Sequence, residues 1–338
     1  MYFLFAKNLF RLISLSAILL LAACQPPEAE VWPENPGGNR LQIVTSFSLL
    51  QEWVEAVGGD AVVVRSFVGP EGDPHTYQAR PGDLRKMVDA AVVFGIGFEF
   101  ESWLPRLHRS SETPAPLILL AESLPAESLL DGHHCDEHEH GHDHHHHHDH
   151  LHDLPDPHLW MDIRMTQKLI DLIEAELTTI QPEQADVFAE NAKAYQEKLT
   201  LLDRQLVSWI STVPEENRKL FTGHDVFAYF AERFGFEVIG SALGSASTET
   251  KDPGAGEIRE LIQRIRDSGV QVVFPEAGSD SRAVRRIAEE ADVAVAPDLY
   301  TDYLSLPDGP AYTYTEMMRH NVRTIVEALG GTVADEDE

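Results

Sequence analysis

The sequence predicts an α/β protein of two pseudo-symmetric lobes, each a mostly parallel sheet flanked by helices, joined by one long rigid helix. Two observations favour this fold class. Strand-like apolar runs alternate with helical runs between residues 41 and 122, and the alternation returns after residue 215. Strands separated by single helices form right-handed βαβ units and therefore parallel sheets. Between the two halves, one amphipathic run covers residues 182–210 without an interior glycine or proline.

The N-terminal lobe is expected to span residues 40–181. Its predicted strands are β-rich runs that end at turn residues: Leu41–Phe47, Ala61–Val68, Ala91–Gly97 and Pro116–Glu122. Helical spacing of apolar residues predicts the intervening helices: Ser48–Gly59, Arg80–Ala90 and a short one within Phe100–Leu107. Strands that alternate with helices in this way are typical of a parallel sheet.

Residues 182–212 are expected to form the helix that links the lobes. Pro182 suits a first helical turn. A mostly apolar stripe recurs at spacings of three and four, at Val187, Asn191, Tyr195, Leu199, Leu202, Leu206 and Ile210. About 28 residues at 1.5 Å each give a helix of about 40 Å, which would act as a stiff hinge. The alternative is a pair of shorter helices.

The C-terminal lobe is expected over residues 213–332, and residues 333–338 form an acidic tail. Its predicted strands are Lys219–His224, Glu237–Ala242, Val270–Glu276 and Val293–Pro297. Its predicted helices are Asp225–Gly235, Gly256–Gly269, Ser281–Ala291 and Tyr314–Gly331. Asp225 is a favourable residue for the N-terminus of the first of these helices.

The N-terminus has the pattern of an export signal. An apolar run, Leu12–Ala23, follows Lys7 and Arg11 and is too short to span a membrane comfortably. Small residues directly before Cys24 resemble the lipobox of bacterial lipoproteins, which implies that residues 1–23 are a signal peptide and that the Cys24 thiol is acylated. The alternative is an ordinary signal peptide with an incidental cysteine. Residues 24–39, rich in Pro, Gly and polar residues, are expected to form a flexible tether.

Charge and cysteine content limit the possible functions. The chain has 26 Lys and Arg against 56 Asp and Glu, a formal net charge of −30. Nucleic acid is therefore excluded as a partner, because it would be repelled. The same negative charge attracts cations, although many acidic proteins bind no metal. Cys24 and Cys135 are the only two cysteines, so lipidation of Cys24 would leave Cys135 without an intramolecular partner.

Three histidines are candidate metal ligands because of where they lie. His75 and His224 follow predicted strands, and His158 lies in the loop segment PDPHLWMD. Ligands of open α/β sheets gather at the carboxyl ends of strands. By contrast, His108 and His320 stand beside arginines on predicted helices and are expected to be ordinary surface or capping residues.

Acids near these histidines support the same interpretation. Metal-bound imidazoles commonly need an acceptor for their second ring N–H, and the acids close by are Asp73 and Asp83, Asp156 and Asp162, and Asp225. Three imidazoles are one ligand short of a closed tetrahedral zinc site. Asp298 and Asp302 both follow the last short strand, so either could supply the fourth ligand.

Several collinear motifs carry a family resemblance over nearly the whole mature chain. They are GPEGDPHTYQARPGDL, GIGFEFESWL, DPHLWMD, TGHDVFAYFAERFG, STETKDPGAGEI, VVFPEAGSD, LYTDYLS and YTEMMRHNVRTIVEAL. In this order they resemble the metal-specific substrate-binding proteins of ABC transporters, the zinc and manganese receptors. The resemblance implies a metal buried between two lobes, held by His75, His158, His224 and an acid. The family acid lies in the segment that matches LYTDYLS, so Asp302 is preferred over Asp298.

The donor set favours Zn²⁺ over Mn²⁺. Manganese receptors of the family tend to carry a carboxylate at the third ligand position, where this chain has His224. Three nitrogens and one oxygen suit Zn²⁺ better than the harder Mn²⁺. Histidine-rich segments between the first two ligands are also typical of the zinc receptors, and this chain has one there. Mn²⁺ is the alternative ion.

Residues 131–153 form that histidine-rich segment, which holds twelve of the seventeen histidines. They are His133, His134, His138, His140, His142, His144, His145, His146, His147, His148, His150 and His152. With almost no apolar content, the segment is expected to be a mobile loop that binds several ions more weakly than the cleft does. An accessory zinc role is predicted, and a solvated loop with incidental metal binding is the alternative.

The sequence thus predicts a lipid-anchored extracytoplasmic receptor, periplasmic or at the cell surface. It is expected to be a monomer that captures Zn²⁺ and delivers it to an ABC permease in the cytoplasmic membrane. No catalysis is expected, because a closed ligand shell leaves no place for a reactive water, and no H-E-x-x-H or G-x-S-x-G motif occurs. The alternatives are a manganese or mixed-metal receptor, a periplasmic zinc buffer or adhesin that acts through the histidines, and a zinc hydrolase.

Overall fold

A computed structural model of the 338-residue chain describes residues 40–132, 154–248, 253–278 and 281–334. These residues belong to one compact unit. The predicted signal peptide, Cys24, the tether and the twelve histidines of the 131–153 segment lie outside the described residues. Among the residues described, no helix combines the length and the apolar character needed to cross a membrane.

The N-terminal lobe is built on a four-stranded parallel sheet in the order β2-β1-β3-β4. The strands are β1 (Leu41–Thr45), β2 (Val62–Ser66), β3 (Val92–Gly95) and β4 (Leu117–Leu119). The helices are α1 (Ser48–Gly58), α2 (Pro81–Val88) and α3 (Leu104–Ser111). All the predicted strands are present but shorter, and α3 begins later than predicted, so that Phe100 lies in the loop before it.

Two helices follow this sheet. Helix α4 (Ile163–Ile180) is not among the predicted elements; Asp162 caps it by accepting a hydrogen bond from the backbone of Arg164. Helix α5 (Ala185–Ile210) runs uninterrupted for 26 residues after a 3-10 turn, Pro182–Gln184, so its length is about 39 Å. The prediction of one long helix is confirmed, and the alternative of two shorter helices is wrong.

The buried stripe of α5 differs from the predicted stripe in its first two turns. Val187 is 42% exposed, and the buried positions there are Phe188 and Ala192. The side chain of Asn191 instead donates a hydrogen bond to the carbonyl of Val57. From Tyr195 onward the predicted positions are buried. The larger apolar surface of Phe188 explains why the helix turns this residue, rather than Val187, toward the core.

The C-terminal lobe repeats the strand order of the N-terminal lobe. Its strands are β5 (Lys219–Thr222), β6 (Glu237–Ser241), β7 (Val272–Val273) and β8 (Ala294–Val295). β5 pairs with β6, and β7 pairs with β8, both in parallel. The backbone N–H of Phe274 donates to the carbonyl of Phe221 at 2.8 Å and joins the two pairs. The resulting order, β6-β5-β7-β8, supports the predicted pseudo-symmetry.

The helices of this lobe are α6 (Ala228–Phe234), α7 (Ala255–Ser268), α8 (Arg282–Ala291) and α9 (Tyr314–Ala328). The prediction that the first helix begins at Asp225 is wrong. Its N-cap is Phe227, because residues 223–227 form a loop in which the backbone N–H of Asp225 donates to the carbonyl of Ser245. Strands β7 and β8 are also shorter than predicted; only an isolated bridge, Glu276 to Leu299, continues their pairing.

Candidate metal site

Four buried side chains from four separate segments converge at one place. They are His75, His158, His224 and Asp302, and one candidate ligand atom of each lies within 4.8 Å of all the others. Each residue is at most 4% exposed. His75 follows β2, His158 precedes α4, His224 follows β5, and Asp302 follows β8. The four residues that the sequence analysis selects are therefore brought together at one place.

His75 is positioned by a tight turn after β2. The carboxylate of Asp73 accepts hydrogen bonds from the backbone N–H groups of His75, at 2.8 Å, and Thr76, at 3.4 Å. The imidazole packs edge-on against Phe100, with ring centroids 4.5 Å apart. The backbone of the turn and the direction of the ring are thus both fixed.

His158 is held by Asp156, two residues before it. Oδ1 of Asp156 lies 2.9 Å from the backbone nitrogen of His158 and 2.8 Å from its Nδ1. A carboxylate only accepts, so Nδ1 carries the proton and the lone pair of Nε2 faces the other candidate ligands. Asp156 is one of the acids that the sequence analysis proposes for this role.

His224 follows β5 and is held by Glu276, which lies beyond β7. Oε2 of Glu276 lies 2.5 Å from Nδ1 of His224, and Oε1 accepts the backbone N–H groups of His224 and Gly223. A Cβ at position 223 would sit 2.8 Å from Oε1, so only glycine leaves room for this carboxylate. Oε2 also accepts the hydroxyl of Thr301, the residue before Asp302.

The separations suit a small cation. From Asp302, Oδ2 lies 3.1 Å from Nε2 of His224 and 3.4 Å from Nε2 of His75, and Oδ1 lies 3.8 Å from Nε2 of His158. A tetrahedral zinc site with bonds of about 2.0–2.1 Å has ligand atoms about 3.3–3.4 Å apart. All three Nε2 atoms and Oδ1 of Asp302 are buried without a hydrogen-bond partner. Buried polar atoms of this kind need an explanation, and a shared metal ion supplies one.

The charges around the site favour a cation. Burial alone would lower the pKa of His224, but Glu276 and Asp302 outweigh burial and raise this pKa well above its usual value. Burial alone would raise the pKa of Asp302, but His224 and His75 outweigh it and hold this pKa well below the usual range. Three carboxylates, those of Asp302, Asp156 and Glu276, thus surround the imidazoles within a buried site.

Other residues named from the sequence have different roles. Asp298 is not part of the cluster of His75, His158, His224 and Asp302. Its side chain is 41% exposed and pairs with Arg285. Asp83 accepts hydrogen bonds from Tyr77 and the backbone of Arg80 at the start of α2, and Asp162 caps α4. His108 and His320 hydrogen-bond to backbone carbonyls elsewhere, those of Ala115 and Asp298.

The acid beside the His224 ring differs from the predicted one. The sequence predicts Asp225 there, and this is wrong: Glu276 occupies that position. Glu276 lies 52 positions away, and it reaches His224 because β7 lies next to β5. A glutamate directly after a buried strand, in VVFPE, is the signal that could have found it.

Comparison with known proteins assigns the family. A family model described as zinc-uptake complex component A, periplasmic (ZnuA), matches residues 43–328. The chain belongs to this family. The manganese-binding lipoprotein MntA of Bacillus subtilis (strain 168) is 31% identical over 295 residues, which are 86% of this chain and 90% of MntA. The manganese ABC transporter substrate-binding lipoprotein PsaA of Streptococcus pneumoniae is 24% identical over 330 residues, which are 96% of this chain and 99% of PsaA.

A solved structure shows the same fold. The periplasmic zinc binding protein TroA from Treponema pallidum matches with a TM-score of 0.75 and 23% identity, over 86% of this chain and 99% of that one. The two-lobed α/β fold and the family predicted from the motifs are thus confirmed. Family and neighbours are metal-binding transport receptors rather than enzymes, as expected. The metals in their names differ, so the family alone does not assign an ion.

Proposed function

We propose that this protein captures Zn²⁺ between its lobes and delivers it to an ABC permease of the cytoplasmic membrane. The proposed ligands are His75, His158, His224 and Asp302. In this proposal residues 40–181 and 213–332 are the two lobes, and residues 182–212 join them without bending. The ion is cargo and not a catalyst, because protein atoms fill all four positions of a tetrahedral shell.

One observation carries the proposal. Three imidazole Nε2 atoms and a carboxylate oxygen face one another, buried and without hydrogen-bond partners. Two of the imidazoles have their other nitrogen fixed by a carboxylate, Asp156 or Glu276. Such outer partners orient a metal-bound histidine and raise its basicity. A purely structural site would not leave three imidazole Nε2 atoms buried without hydrogen-bond partners.

The donor set supports Zn²⁺ as the preferred ion. Nitrogen ligands suit Zn²⁺, whereas Mn²⁺ prefers oxygen. The spacing of the ligand atoms around Asp302 is close to that of a zinc tetrahedron. The histidine-rich residues 131–153 would supply weaker accessory sites and raise the local concentration of ions.

The location follows from the relatives and the N-terminal sequence. Relatives are named lipoproteins of metal ABC transporters. With residues 1–23 as the signal peptide, Cys24 would carry the lipid and residues 24–39 would tether the receptor to the membrane surface. The receptor is proposed to act there as a monomer outside the cytoplasm.

The test compares Zn²⁺ titrations of three forms of the mature protein. The parent and a His108→Ala control, which removes a histidine that bonds the carbonyl of Ala115 and is not a proposed ligand, should hold one tight Zn²⁺. His224→Ala should lose it. Each form is also made without residues 133–153, so that the weaker ions do not obscure the tight one. If tight binding vanishes with residues 133–153 and persists in His224→Ala, the histidine-rich segment is the working site and the protein is a zinc buffer or adhesin.

A manganese receptor is the second candidate, and two observations favour it. Both oxygens of Asp302 face the histidines, since Oδ1 lies 3.8 Å from Nε2 of His158 and has no hydrogen-bond partner. A bidentate carboxylate would add an oxygen ligand and suit Mn²⁺. MntA, named for manganese, is 31% identical. Competition between Mn²⁺ and Zn²⁺ for binding to the His108→Ala control protein distinguishes the two candidate functions. Tighter binding of Mn²⁺ than of Zn²⁺ would support the second candidate.

A further inference from the structure

Asp73 connects the turn of His75 to the opposite lobe. Within the turn, its Oδ1 accepts the backbone N–H groups of His75 and Thr76, and its Oδ2 accepts the hydroxyl of Thr76 at 2.9 Å. Oδ2 also accepts the hydroxyl of Thr248 at 2.7 Å. Thr248 follows β6 of the C-terminal lobe and is 175 positions away in sequence. One carboxylate therefore holds a ligand turn of one lobe and a side chain of the other.

The bond between Thr248 and Asp73 lies at the edge of the ligand cluster. Thr248 lines a surface cavity of about 560 Å³ together with His75, Tyr77 and Arg106. It also lines a much smaller cavity of about 10 Å³, together with Asp73 and Asp302. Thr248 thus borders both the larger space beside His75 and the smaller space beside Asp302.

We infer that Thr248 is a positioning residue that holds the His75 turn against the C-terminal lobe and slows release of the bound ion. The inference rests on the proposed function, since it requires His75 and Asp302 to share a metal. His75 and Asp302 come from different lobes, so they part when the lobes separate at this edge. The hydrogen bond from Thr248 to Asp73 breaks in the same movement and therefore opposes it.

Thr248 offers a clean test because its contribution is a single side-chain hydroxyl. The neighbouring links between the lobes use backbone atoms: the N–H of Glu71 donates to the carbonyl of Leu304, and the N–H of Leu304 donates to Oγ of Ser48. Valine has nearly the shape of threonine and lacks the hydroxyl, so Thr248→Val removes the bond with little change in volume. Serine keeps the hydroxyl, so Thr248→Ser should restore it.

The experiment measures release of Zn²⁺ from the full mature chain. The protein is loaded with Zn²⁺, passed over a weak chelator so that only the tight ion remains, and mixed with excess chromogenic chelator in a stopped-flow instrument. A hydrogen bond to a charged acceptor is worth about a factor of ten in an equilibrium. Thr248→Val should therefore release Zn²⁺ about tenfold faster, and Thr248→Ser within about twofold of the parent. Thr179→Val, which removes an exposed hydroxyl that bonds the carbonyl of Ala175, should match the parent.

Equal release rates for Thr248→Val and the parent would overturn the inference. So would a Thr248→Ser variant as fast as Thr248→Val, because the hydroxyl would then have no part in the effect. The melting temperature of the metal-free form should fall by no more than a few degrees in Thr248→Val, because only one hydrogen bond is lost; if it falls further, Thr248→Ala is measured in its place against Thr179→Ala. Failure of the proposed function is a separate result: the parent would then hold no tight Zn²⁺ that His224→Ala loses.

Discussion

Glu276→Gln is expected to weaken Zn²⁺ binding by about ten- to a hundredfold, although Glu276 is not a proposed ligand. Loss of the outer partner of a metal-bound histidine typically has an effect of this size, which corresponds to about 1.4–2.7 kcal/mol. The structure explains why glutamine cannot replace this glutamate. Oε2 faces Nδ1 of His224, and Oε1 accepts the N–H groups of Gly223 and His224. A glutamine has one acceptor oxygen, so its NH₂ group must face donors on one of the two sides.

Asp156→Asn provides the matched comparison. A single oxygen, Oδ1 of Asp156, accepts both the backbone N–H of His158 and its Nδ1–H. The amide oxygen of asparagine can occupy that position and keep both bonds, and only the charge is lost. We therefore expect a loss of less than about tenfold in Asp156→Asn, since neutral hydrogen bonds are weaker but are not broken.

The assay is competition with a chelator of known affinity, carried out at one pH on proteins without residues 133–153. Glu122→Gln is the control, since Glu122 also accepts a backbone N–H, that of Phe98, at 3.4 Å in an exposed position. It should bind Zn²⁺ as the parent does. The reasoning is refuted if Glu276→Gln binds as tightly as Glu122→Gln, or if Asp156→Asn loses as much affinity as Glu276→Gln.

Three further outcomes are expected. Zn²⁺ affinity should decrease as the pH falls, and the decrease should begin above the ordinary histidine pKa of about 6.5. The reason is that Glu276 and Asp302 raise the pKa of His224 against the effect of burial, and a bound proton excludes the metal. An affinity that is constant from pH 8 to 5.5 would contradict this. Phe188→Ala should lower the free energy of unfolding, measured by urea denaturation, by about 3–5 kcal/mol. Replacing the exposed valine, in Val187→Ala, should change it by about 0.5 kcal/mol or less. Equal losses of stability in the two variants would reject the burial pattern of α5. Replacing residues 133–153 with a short turn should leave the melting temperature nearly unchanged, because the backbone N–H of Gly132 already donates to the carbonyl of Leu154 at 3.1 Å; a large decrease would show that the segment supports the fold.

The proposed ligands could be selected from the sequence because of where parallel strands end. His75 follows β2 and His224 follows β5, and these carboxyl ends face the space between the lobes. The choice of Asp302 over Asp298 needed the family motif, because both acids follow the same strand. The structure separates them: Asp302 is 4% exposed, whereas Asp298 pairs with Arg285 at the surface.

The outer partners were harder to predict because they depend on neighbours in space. Asp156 lies two residues from His158, so proximity in sequence was a sufficient guide. Asp225 was the nearest acid to His224, but its loop turns toward Ser245 and leaves the ring to Glu276. Only the order of the strands in the C-terminal sheet brings Glu276 to that position.

Secondary structure was predictable where its signals are local. Helix α5 has 26 residues without a breaker. Helix α4 carried comparable signals, a capping Asp162 and buried apolar residues at helical spacing, and these would have been enough to assign it. Strands β7 and β8 could not be bounded from the sequence. Regular pairing between β7 and β8 ends after two residues of each strand, and the chain that follows β7 places Glu276 beside His224.

The segment of Asp302 links the proposed ligands of the two lobes through more than its own carboxylate. The carbonyl of Thr301 accepts a hydrogen bond at 2.7 Å from Nε1 of Trp160, two residues after His158. The hydroxyl of Thr301 donates to Glu276, which in turn holds His224. A movement that withdraws Asp302 from His158 therefore also disturbs the partner of His224. A metal ion binds weakly to an incomplete and poorly oriented ligand set. Displacement of this one segment would therefore weaken several of the proposed metal bonds at once. A receptor needs such a concerted weakening to release a tightly bound ion.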